Sequence, residues 1–278
     1  MTTTTTVNPT TGEDLVTYQY HTDTEVDQIV DAAHAAFDTW RRRPLKDRID
    51  IVREIGSLLR ERSSDLARLM TDEMGKVIAH GAREVQLCAH ICDWTADHAA
   101  EELADEARPF DGGRAIVSYR PVGIIFGIQP FNFPAYQAIR FSIPQLVAGN
   151  AVLLKHARSV WGSALFVEKL YHDAGVPNDL FRTVKISSDQ SNELIANPLV
   201  RGVTLTGSGQ AGSVVAAQAG KYLKKTVMEL GSNDAYLVLA DADIATAVEV
   251  CTTGRIFNNG ETCVAAKRFV VVDAIYDA

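Results

Sequence analysis

Cysteine, tryptophan and methionine are scarce in this chain of 278 residues, which contains four, three and four of them. The cysteines are Cys88, Cys92, Cys251 and Cys263, and no two of them form a Cys-x-x-Cys pair. Because so few cysteines exclude a disulfide framework, we expect a reducing, cytoplasmic compartment. Cys88 and Cys92 lie four residues apart in a predicted helix without further metal ligands, which favours ordinary packing over a metal site.

Positive charge is also in short supply, with 27 Lys and Arg against 35 Asp and Glu and a net charge of -8. This excess of acid argues against a general binder of nucleic acid or anionic membranes, although a local basic pocket for one phosphate stays possible. No apolar run reaches the ~18 residues that span a bilayer. The threonines at 2–6 lack the features of a signal peptide, and we expect them to form a frayed terminus.

The first third of the chain predicts helices. Apolar residues recur at helical spacing from Asp23, where Thr22 or Thr24 can cap the first helix. Pro44 can open a second helix, whose pattern continues past residue 66. A third helix is predicted from about His80 to Ala107.

After residue 109 the pattern changes to alternating strands and helices. Strands are predicted at 114–119, 122–128, 151–154, 203–206, 226–230, 235–239 and 268–273, with helices near 160–173, 189–196, after 207 and at 244–257. This order predicts an α/β fold with a doubly wound, mainly parallel sheet. The final strand has no partner in the pattern, so we expect a missing segment or a partner to cover it.

Two features at strand ends could bind a phosphate. Gly207, Ser208 and Gly212 lie where a strand meets a helix, and a helix N-terminus offers free N–H groups to an anion. The alternative is a tight strand-to-helix turn. Lys155 follows an apolar strand directly, at the sheet edge where α/β proteins bind ligands, but a single lysine there is as often simply solvated.

Three residues could take part in catalysis, as a nucleophile, a general base and a hydrogen-bond donor. Cys263 lies in a small polar loop, where a thiol can be exposed and act as a nucleophile, or it has no role. Glu229 interrupts an apolar strand, where burial would raise its pKa toward that of a general base, unless it forms a buried structural ion pair. Asn132, between two prolines, could donate its amide to an oxyanion or cap a turn.

The order of these segments resembles the aldehyde dehydrogenase superfamily over essentially the whole chain. The segments that carry the resemblance are Pro130–Pro134, Leu154–Ala157, Thr206–Ser208, Met228–Gly231 and Gly260–Cys263. The chain looks most like the succinate-semialdehyde dehydrogenase branch, where Lys-His-Ala replaces Lys-Pro. The resemblance implies a Rossmann-like NAD(P)-binding domain at 1–102 and 122–230, an oligomerisation strand segment at 103–121, and the start of a second α/β catalytic domain at 231–278.

The resemblance also implies a role for each motif. Cys263 would attack the aldehyde carbon, with the oxyanion held by the Asn132 amide and the Cys263 backbone N–H, before hydride passes to NAD(P)⁺. Glu229 would activate the water that hydrolyses the thioester. The cofactor residues implied are Lys155 at the adenosine ribose, Gly207 and Ser208 at the pyrophosphate, and Gly212 and Gly231 in the adjoining loops.

Four positions depart from the family pattern or refine it. Ser232 replaces a glycine, and its Cβ would crowd the nicotinamide or demand an unfavourable φ. Arg158 stands where many NAD-preferring relatives carry a ribose-binding glutamate, so NADP⁺ is expected to be preferred over NAD⁺. Arg140 matches a position that binds the substrate carboxylate in succinate-semialdehyde enzymes. The second such arginine is replaced here by Phe257, so an ω-carboxyl aldehyde is favoured only modestly.

Family members are much longer, whereas this chain ends 15 residues after Cys263. We therefore expect little activity from the isolated polypeptide, an unpaired edge near Val117, and a homo-oligomer (dimer or tetramer) in the complete enzyme. A second hypothesis is an inactive nucleotide-binding remnant. A third, a CoA-acylating dehydrogenase, is disfavoured because such relatives generally lack the base that Glu229 would supply.

Overall fold

The computed structural model describes residues 3–278. Its helices are α1 (Asp23–Trp40), α2 (Leu45–Glu61), α3 (Ser63–Met74), α4 (Ile78–Glu102), α5 (Pro134–Ala148), α6 (Trp161–Asp173), α7 (Ser188–Ala196), α8 (Gly209–Lys221) and α9 (Ile244–Ile256). Its strands are β1 (Thr3–Val7), β2 (Asp14–Gln19), β3 (Glu106–Phe110), β4 (Gly113–Val117), β5 (Ile124–Gln129), β6 (Ala151–His156), β7 (Phe181–Thr183), β8 (Val200–Gly207), β9 (Lys225–Leu230), β10 (Ala235–Val238) and β11 (Arg268–Val271).

The central sheet has five parallel strands in the order β7-β6-β5-β8-β9. Strands β5 and β6 are buried on both faces, as expected of parallel strands covered by helices. The strand order reverses between β5 and β8, which is the arrangement of a doubly wound α/β fold. The predicted fold class is confirmed.

The helical layer before the sheet follows its sequence signals with two corrections. Thr22 caps α1 and forms a capping box with Glu25. The second predicted helix is divided at Arg62 into α2 and α3. The third ends at Glu102 rather than at Ala107, because residues 106–110 form β3 and pair with β4 across a turn in which Gly112 has a φ of 84°.

The N-terminal segment forms strand β1, so the prediction of a frayed terminus is wrong for residues 3–6; Thr2 lies outside the described residues. Strand β1 pairs antiparallel with β2, and the hydroxyls of Thr5 and Thr17 lie 2.9 Å apart across the ribbon. Threonine is β-branched and favours this pleated surface once a partner strand is available.

The last predicted strand also has a partner. Strand β11 pairs in parallel with β10, with Ala235 opposite Arg268, so the expectation of a lone strand is wrong. Leu237 of β10 remains 67% exposed, and Val270 of β11 remains 50% exposed. Within residues 3–278, every helix is too short or too polar to cross a membrane.

His156, at the end of β6, is a fully buried histidine held in its neutral form. Its Nε2 lies 2.9 Å from the Pro134 carbonyl, and the Ala157 N–H donates to its Nδ1 at 3.0 Å. These partners assign the proton to Nε2. Burial lowers the pKa of His156 from 6.5 to about 4.

We expect this histidine to make stability fall in mild acid. Between pH 6.5 and about 4, the unfolded chain binds a proton at His156 that the folded chain does not, so the free energy of unfolding falls as pH drops. The contribution is about 3 kcal/mol across that window. Urea unfolding of wild type and His156→Gln at several pH values measures it. His21, whose pKa is also lowered to about 4, remains in both proteins. Parallel pH curves would contradict the assignment.

Candidate active site

Several of the predicted site residues lie at the carboxyl edge of the sheet, because they follow or end parallel strands. Asn132 follows β5, Lys155 lies near the end of β6, and Gly207 ends β8. The register places Ile128 of β5 opposite Lys155, and Thr206 of β8 opposite Glu229 of β9. The strand order therefore converts positions far apart in sequence into neighbours along one edge.

A cleft of about 330 Å³ at this edge brings together two of the predicted catalytic residues and three of the cofactor residues. These are Asn132, Cys263, Gly207, Ser208 and Gly231. Cys263 is exposed. Ser208 is the N-cap of α8, so the first N–H groups of that helix open at the cleft. The cleft thus combines an accessible thiol, a carboxamide and the N-terminal cap of a helix.

The Asn132 carboxamide is fixed by the loop that carries Cys263. Its Nδ2 donates to the Glu261 carbonyl at 2.8 Å, which leaves the second N–H of the amide for another acceptor. The Asn132 backbone carbonyl accepts from Lys76 Nζ at 2.9 Å and from Asn258 Nδ2 at 2.8 Å. Sequence reasoning did not single out Lys76 or Asn258.

Lys76 forms a buried ion pair with Glu84, and the lysine and glutamate side chains are 0% and 1% exposed. The other Glu84 oxygen accepts the backbone N–H groups of Ala135 and Tyr136, both at 2.9 Å, at the start of α5. Burial lowers the pKa of Lys76 and raises that of Glu84, while their mutual attraction opposes both shifts. The pair therefore ties α3, α4 and α5 to the turn that carries Asn132. The only sequence signal for this ion pair was an acidic residue, Glu84, on the apolar side of α4.

Glu229 is not buried, so the expectation of a desolvated carboxylate is wrong. Its side chain is 51% exposed, and its Oε1 lies 3.2 Å from Nη2 of Arg140. The Arg140 guanidinium also lies over the Tyr136 ring, 5.7 Å from its centroid. Glu229 lies on the outer strand of the described five-stranded sheet, where one side lacks a covering neighbour. The alternative of a buried structural ion pair is also wrong, because the pair with Arg140 is partly exposed, and the role of general base stays a prediction.

Lys155 and Arg158 lie in a second pocket of about 290 Å³, which Tyr20, Ser187 and Ser188 also line. Burial and the Arg158 charge both lower the pKa of Lys155. Ser187 caps α7, and Arg158 Nη1 lies 3.4 Å from the Tyr20 hydroxyl. Two cations, hydroxyls and a helix N-terminus suit a phosphate ester. Tyr20 and the two serines were missed, because no local motif marks them.

The whole chain, residues 1–278, matches the aldehyde dehydrogenase sequence family. The chain belongs to the aldehyde dehydrogenase family. A succinate-semialdehyde dehydrogenase [NADP(+)] from Deinococcus radiodurans is 42% identical over 272 residues, which are 98% of this chain and 57% of the relative. A succinate semialdehyde dehydrogenase [NAD(P)+] from Escherichia coli strain K12 is 39% identical over 98% of this chain and 59% of its own length.

Solved structures of aldehyde dehydrogenases share the fold closely. The succinic semialdehyde dehydrogenase of Streptococcus pyogenes, in complex with NADP⁺, gives a TM-score of 0.96 at 37% identity, over 98% of this chain and 60% of that one. The lactaldehyde dehydrogenase of Escherichia coli gives a TM-score of 0.94 at 29% identity, over 99% of this chain and 58% of that one. This chain thus spans about three fifths of these relatives. Since enzymes with different aldehydes fit almost equally well, the fold does not select the substrate.

Two further residues singled out from the aldehyde dehydrogenase pattern have structural surroundings of their own. Gly212 lies outside the lining of the cleft, and a Cβ there would meet Leu230 Cδ2 at 2.5 Å, so the glycine permits close packing of α8 on β9. Ser232 has no positive φ, which removes the expected strain, and its hydroxyl bonds Asp234 while Lys267 binds its carbonyl. Among residues 3–278, no cluster of metal ligands is found.

Proposed function

We propose that this chain acts in the oxidation of succinate semialdehyde to succinate with NADP⁺ through a covalent Cys263 intermediate. The observation that carries the proposal is the convergence of Cys263, Asn132 and the N-terminus of α8 on one cleft. The names of the relatives supply the aldehyde and the cofactor.

The chain's own residues supply the nucleophile, the oxyanion donors and the base of the proposed reaction. The Cys263 sulfur bonds to the aldehyde carbon, and the carbonyl electrons move to oxygen, where the free Asn132 N–H and the Cys263 N–H stabilise them. When bound, NADP⁺ would supply the acceptor for the hydride that leaves this carbon, and Cys263 would then carry a thioester. Glu229, which precedes Leu230 and Gly231 of the cleft wall, takes a proton from water as the water oxygen attacks the thioester. The Cys263 thiolate then leaves and succinate is formed.

The residues present fit NADP⁺. The N-terminus of α8 faces the cleft that Gly207 and Ser208 line, as a pyrophosphate requires. Lys155 and Arg158 share the second pocket with Ser187 and Ser188, as a ribose phosphate requires. A ribose without that phosphate would leave two cations in one pocket without an anion.

The proposed function is tested on the natural protein that contains this chain, at its full natural length. With succinate semialdehyde and NADP⁺, we expect aldehyde-dependent formation of NADPH, and less reduced cofactor with NAD⁺. Tight NADP⁺ binding without NADPH formation would instead support a non-catalytic nucleotide-binding protein. Equal or faster turnover with NAD⁺ would overturn the cofactor assignment.

Replacing Arg158 with glutamate is expected to weaken NADP⁺ binding about 10- to 100-fold, since it removes charge-assisted bonds worth roughly 1.5–3 kcal/mol. NAD⁺ binding should stay within about threefold or improve, because the new carboxylate can accept from ribose hydroxyls. Calorimetric titration with each cofactor measures the effect without turnover. Arg201→Glu, a change at another exposed arginine, is the matched control. An equal loss for both cofactors would contradict the assignment.

We also propose that the complete enzyme is a homo-oligomer that uses residues 103–121. Both strands of the β3–β4 hairpin are largely exposed, and Phe110 and Ile116 are 60% and 50% exposed. A two-stranded ribbon with exposed apolar side chains is marginal alone in water and gains from pairing with another chain. Analytical ultracentrifugation of the complete enzyme, as wild type and as Ile116→Lys, tests this role of the hairpin in assembly.

A further inference from the structure

A pocket of about 510 Å³ opens at the amino edge of the central sheet, at the opposite ends of the strands from the catalytic cleft. Pro121 lies before β5 and Ala148 lies before β6, so the pocket adjoins the starts of these two strands. Among residues 3–278, its lining includes three arginines, Arg41, Arg48 and Arg120, and no acidic residue. In a chain with an excess of acid, three guanidinium groups around one pocket favour an anion as its ligand.

Arg48, in the first turns of α2, is the buried cation of this pocket. The residue is 8% exposed, and its Nε is buried without a hydrogen-bond partner among residues 3–278. No carboxylate of that range attracts the guanidinium, and burial alone lowers its pKa. An arginine nevertheless keeps its proton in proteins, so a positive charge stays in the wall. Because buried charges in folded proteins are normally paired, this one lacks the partner that its burial requires.

The backbone at the end of α5 leaves space for this guanidinium. A Cβ on Gly149 would lie 2.6 Å from Arg48 Nη1, so the glycine allows the present position of the arginine. Gly149 also has a φ of 98°, a conformation that favours glycine. The Cβ of Pro121 lies 3.3 Å from the same point and closes the other side. Arg48 is thus seated between a turn and a proline instead of extending into solvent.

The other two arginines of the pocket are more exposed. Arg41 pairs with Asp38 at 3.1 Å, and Arg120 lies 3.7 Å from Asp105. These four side chains are at least 43% exposed, so water and salt screen both pairs. Both guanidinium groups can therefore turn toward an anion at little cost, whereas Arg48 is fixed in place.

The N-terminus of α2 adds a second attraction for negative charge. Its first residue, Leu45, lines the pocket, and the preceding Pro44 makes no capping hydrogen bond through its side chain. The first N–H groups of such a helix lack partners and attract anions. Asp47, in the same turn, pairs with Arg43 at 3.9 Å and lies outside the lining. The helix end and the arginines thus favour a ligand of the same sign.

We propose that this pocket binds a phosphate monoester whose phosphate contacts Arg48. A phosphate monoester carries about 1.5 to 2 negative charges at pH 7 and three acceptor oxygens, which suit several guanidinium groups better than one carboxylate does. The organic part lies against Leu45, Leu103 and Pro121. The volume falls within the range of roughly 300–1,000 Å³ that is usual for ligand pockets, so the ligand is larger than inorganic phosphate.

This site is separate from the two pockets assigned to the proposed reaction, so the inference goes beyond the proposed function and does not depend on it. The pocket that Lys155 and Arg158 line would also attract a phosphate. Arg158→Glu is therefore used as the reference protein, in which that second pocket has lost most of its positive charge. The reference is the natural protein that contains this chain, at its full natural length.

Calorimetric titration with phenyl phosphate tests the site. Added to the reference, Arg48→Met should weaken binding at least about tenfold and Arg120→Gln about threefold, since each removes charge-assisted hydrogen bonds. Arg48→Lys should keep part of the affinity, because the charge remains. Arg68→Met, at an exposed arginine of α3 outside the pocket, should leave the affinity unchanged.

Thermal unfolding separates a binding defect from a folding defect. Phenyl phosphate should raise the melting temperature of the reference protein but not that of Arg48→Met, because a ligand stabilises only a protein that binds it. If Arg48→Met does not fold, the exposed change Arg120→Gln decides, and an unaltered affinity there contradicts the proposal.

Benzoate has the same ring and a single charge, and it should bind at least about threefold more weakly than phenyl phosphate. Equal affinities of the two compounds would rule out a phosphate monoester as the ligand class. Equal binding of phenyl phosphate to the reference and to a folded Arg48→Met overturns the proposal. So does the absence of saturable binding to the reference, the result expected if a carboxylate elsewhere in the natural protein already fills the pocket.

Discussion

Replacing Lys76 with methionine is expected to lower the free energy of unfolding by about 3–5 kcal/mol. The substitution keeps the length of the side chain but leaves Glu84, 1% exposed, without its cation in a site that excludes water. It also removes a donor from the Asn132 carbonyl. Urea unfolding monitored by circular dichroism measures the loss.

The matched control is Lys46→Met. Lys46 pairs with Asp50 at 2.6 Å, but the two side chains are 81% and 55% exposed, so this change should lower the free energy of unfolding far less than Lys76→Met does. The double variant Lys76→Met, Glu84→Gln should be more stable than Lys76→Met alone, because no buried charge is left unpaired. If Lys76→Met and Lys46→Met lowered the free energy of unfolding equally, burial of the Lys76–Glu84 pair would not be the cause of the loss.

Replacing Cys263 with alanine is expected to reduce aldehyde oxidation by roughly 10⁴-fold or more, as loss of a covalent nucleophile does in other enzymes. The proposed thioester cannot form without the sulfur. NADP⁺ binding should persist, because the pocket of Lys155 and Arg158 is untouched. The measurement is the initial rate of NADPH formation, with cofactor affinity determined in parallel.

Cys251→Ala is the control for that experiment. Cys251 is a partly exposed thiol on α9, outside the cleft, and its replacement should leave the rate within about twofold. If Cys263→Ala retained most of the rate, covalent catalysis by this residue would be wrong. If Cys251→Ala lost as much, the effect of Cys263→Ala would reflect folding rather than chemistry.

The central sheet and the cleft at its edge were predictable because their signals are local. Strands such as β6 are apolar on both faces, and several of the site motifs lie at the ends of strands. Residues 1–278 match one family throughout, which the ordered motifs indicated. The predicted domain boundaries and the role of each site residue remain predictions.

The errors arose where a distant partner decides the structure. Thr3–Val7 becomes a strand through β2, and residues 106–110 through β4, although their composition also suits a coil or a helix. Glu229 is exposed because β9 is an outer strand and Arg140 of α5 reaches it. Lys76 lies 56 residues before Asn132, so no spacing in the sequence relates them.

The opposite rim of the five-stranded sheet is free for attachment to a solid support. Pro198, before β8, and Lys225, at the start of β9, are exposed there, at the amino ends of strands whose carboxyl ends meet the cleft. A linker attached at this rim would orient the molecule so that its cleft faces away from the support. Immobilised layers prepared in this way should keep the thiol reachable from the bathing solution.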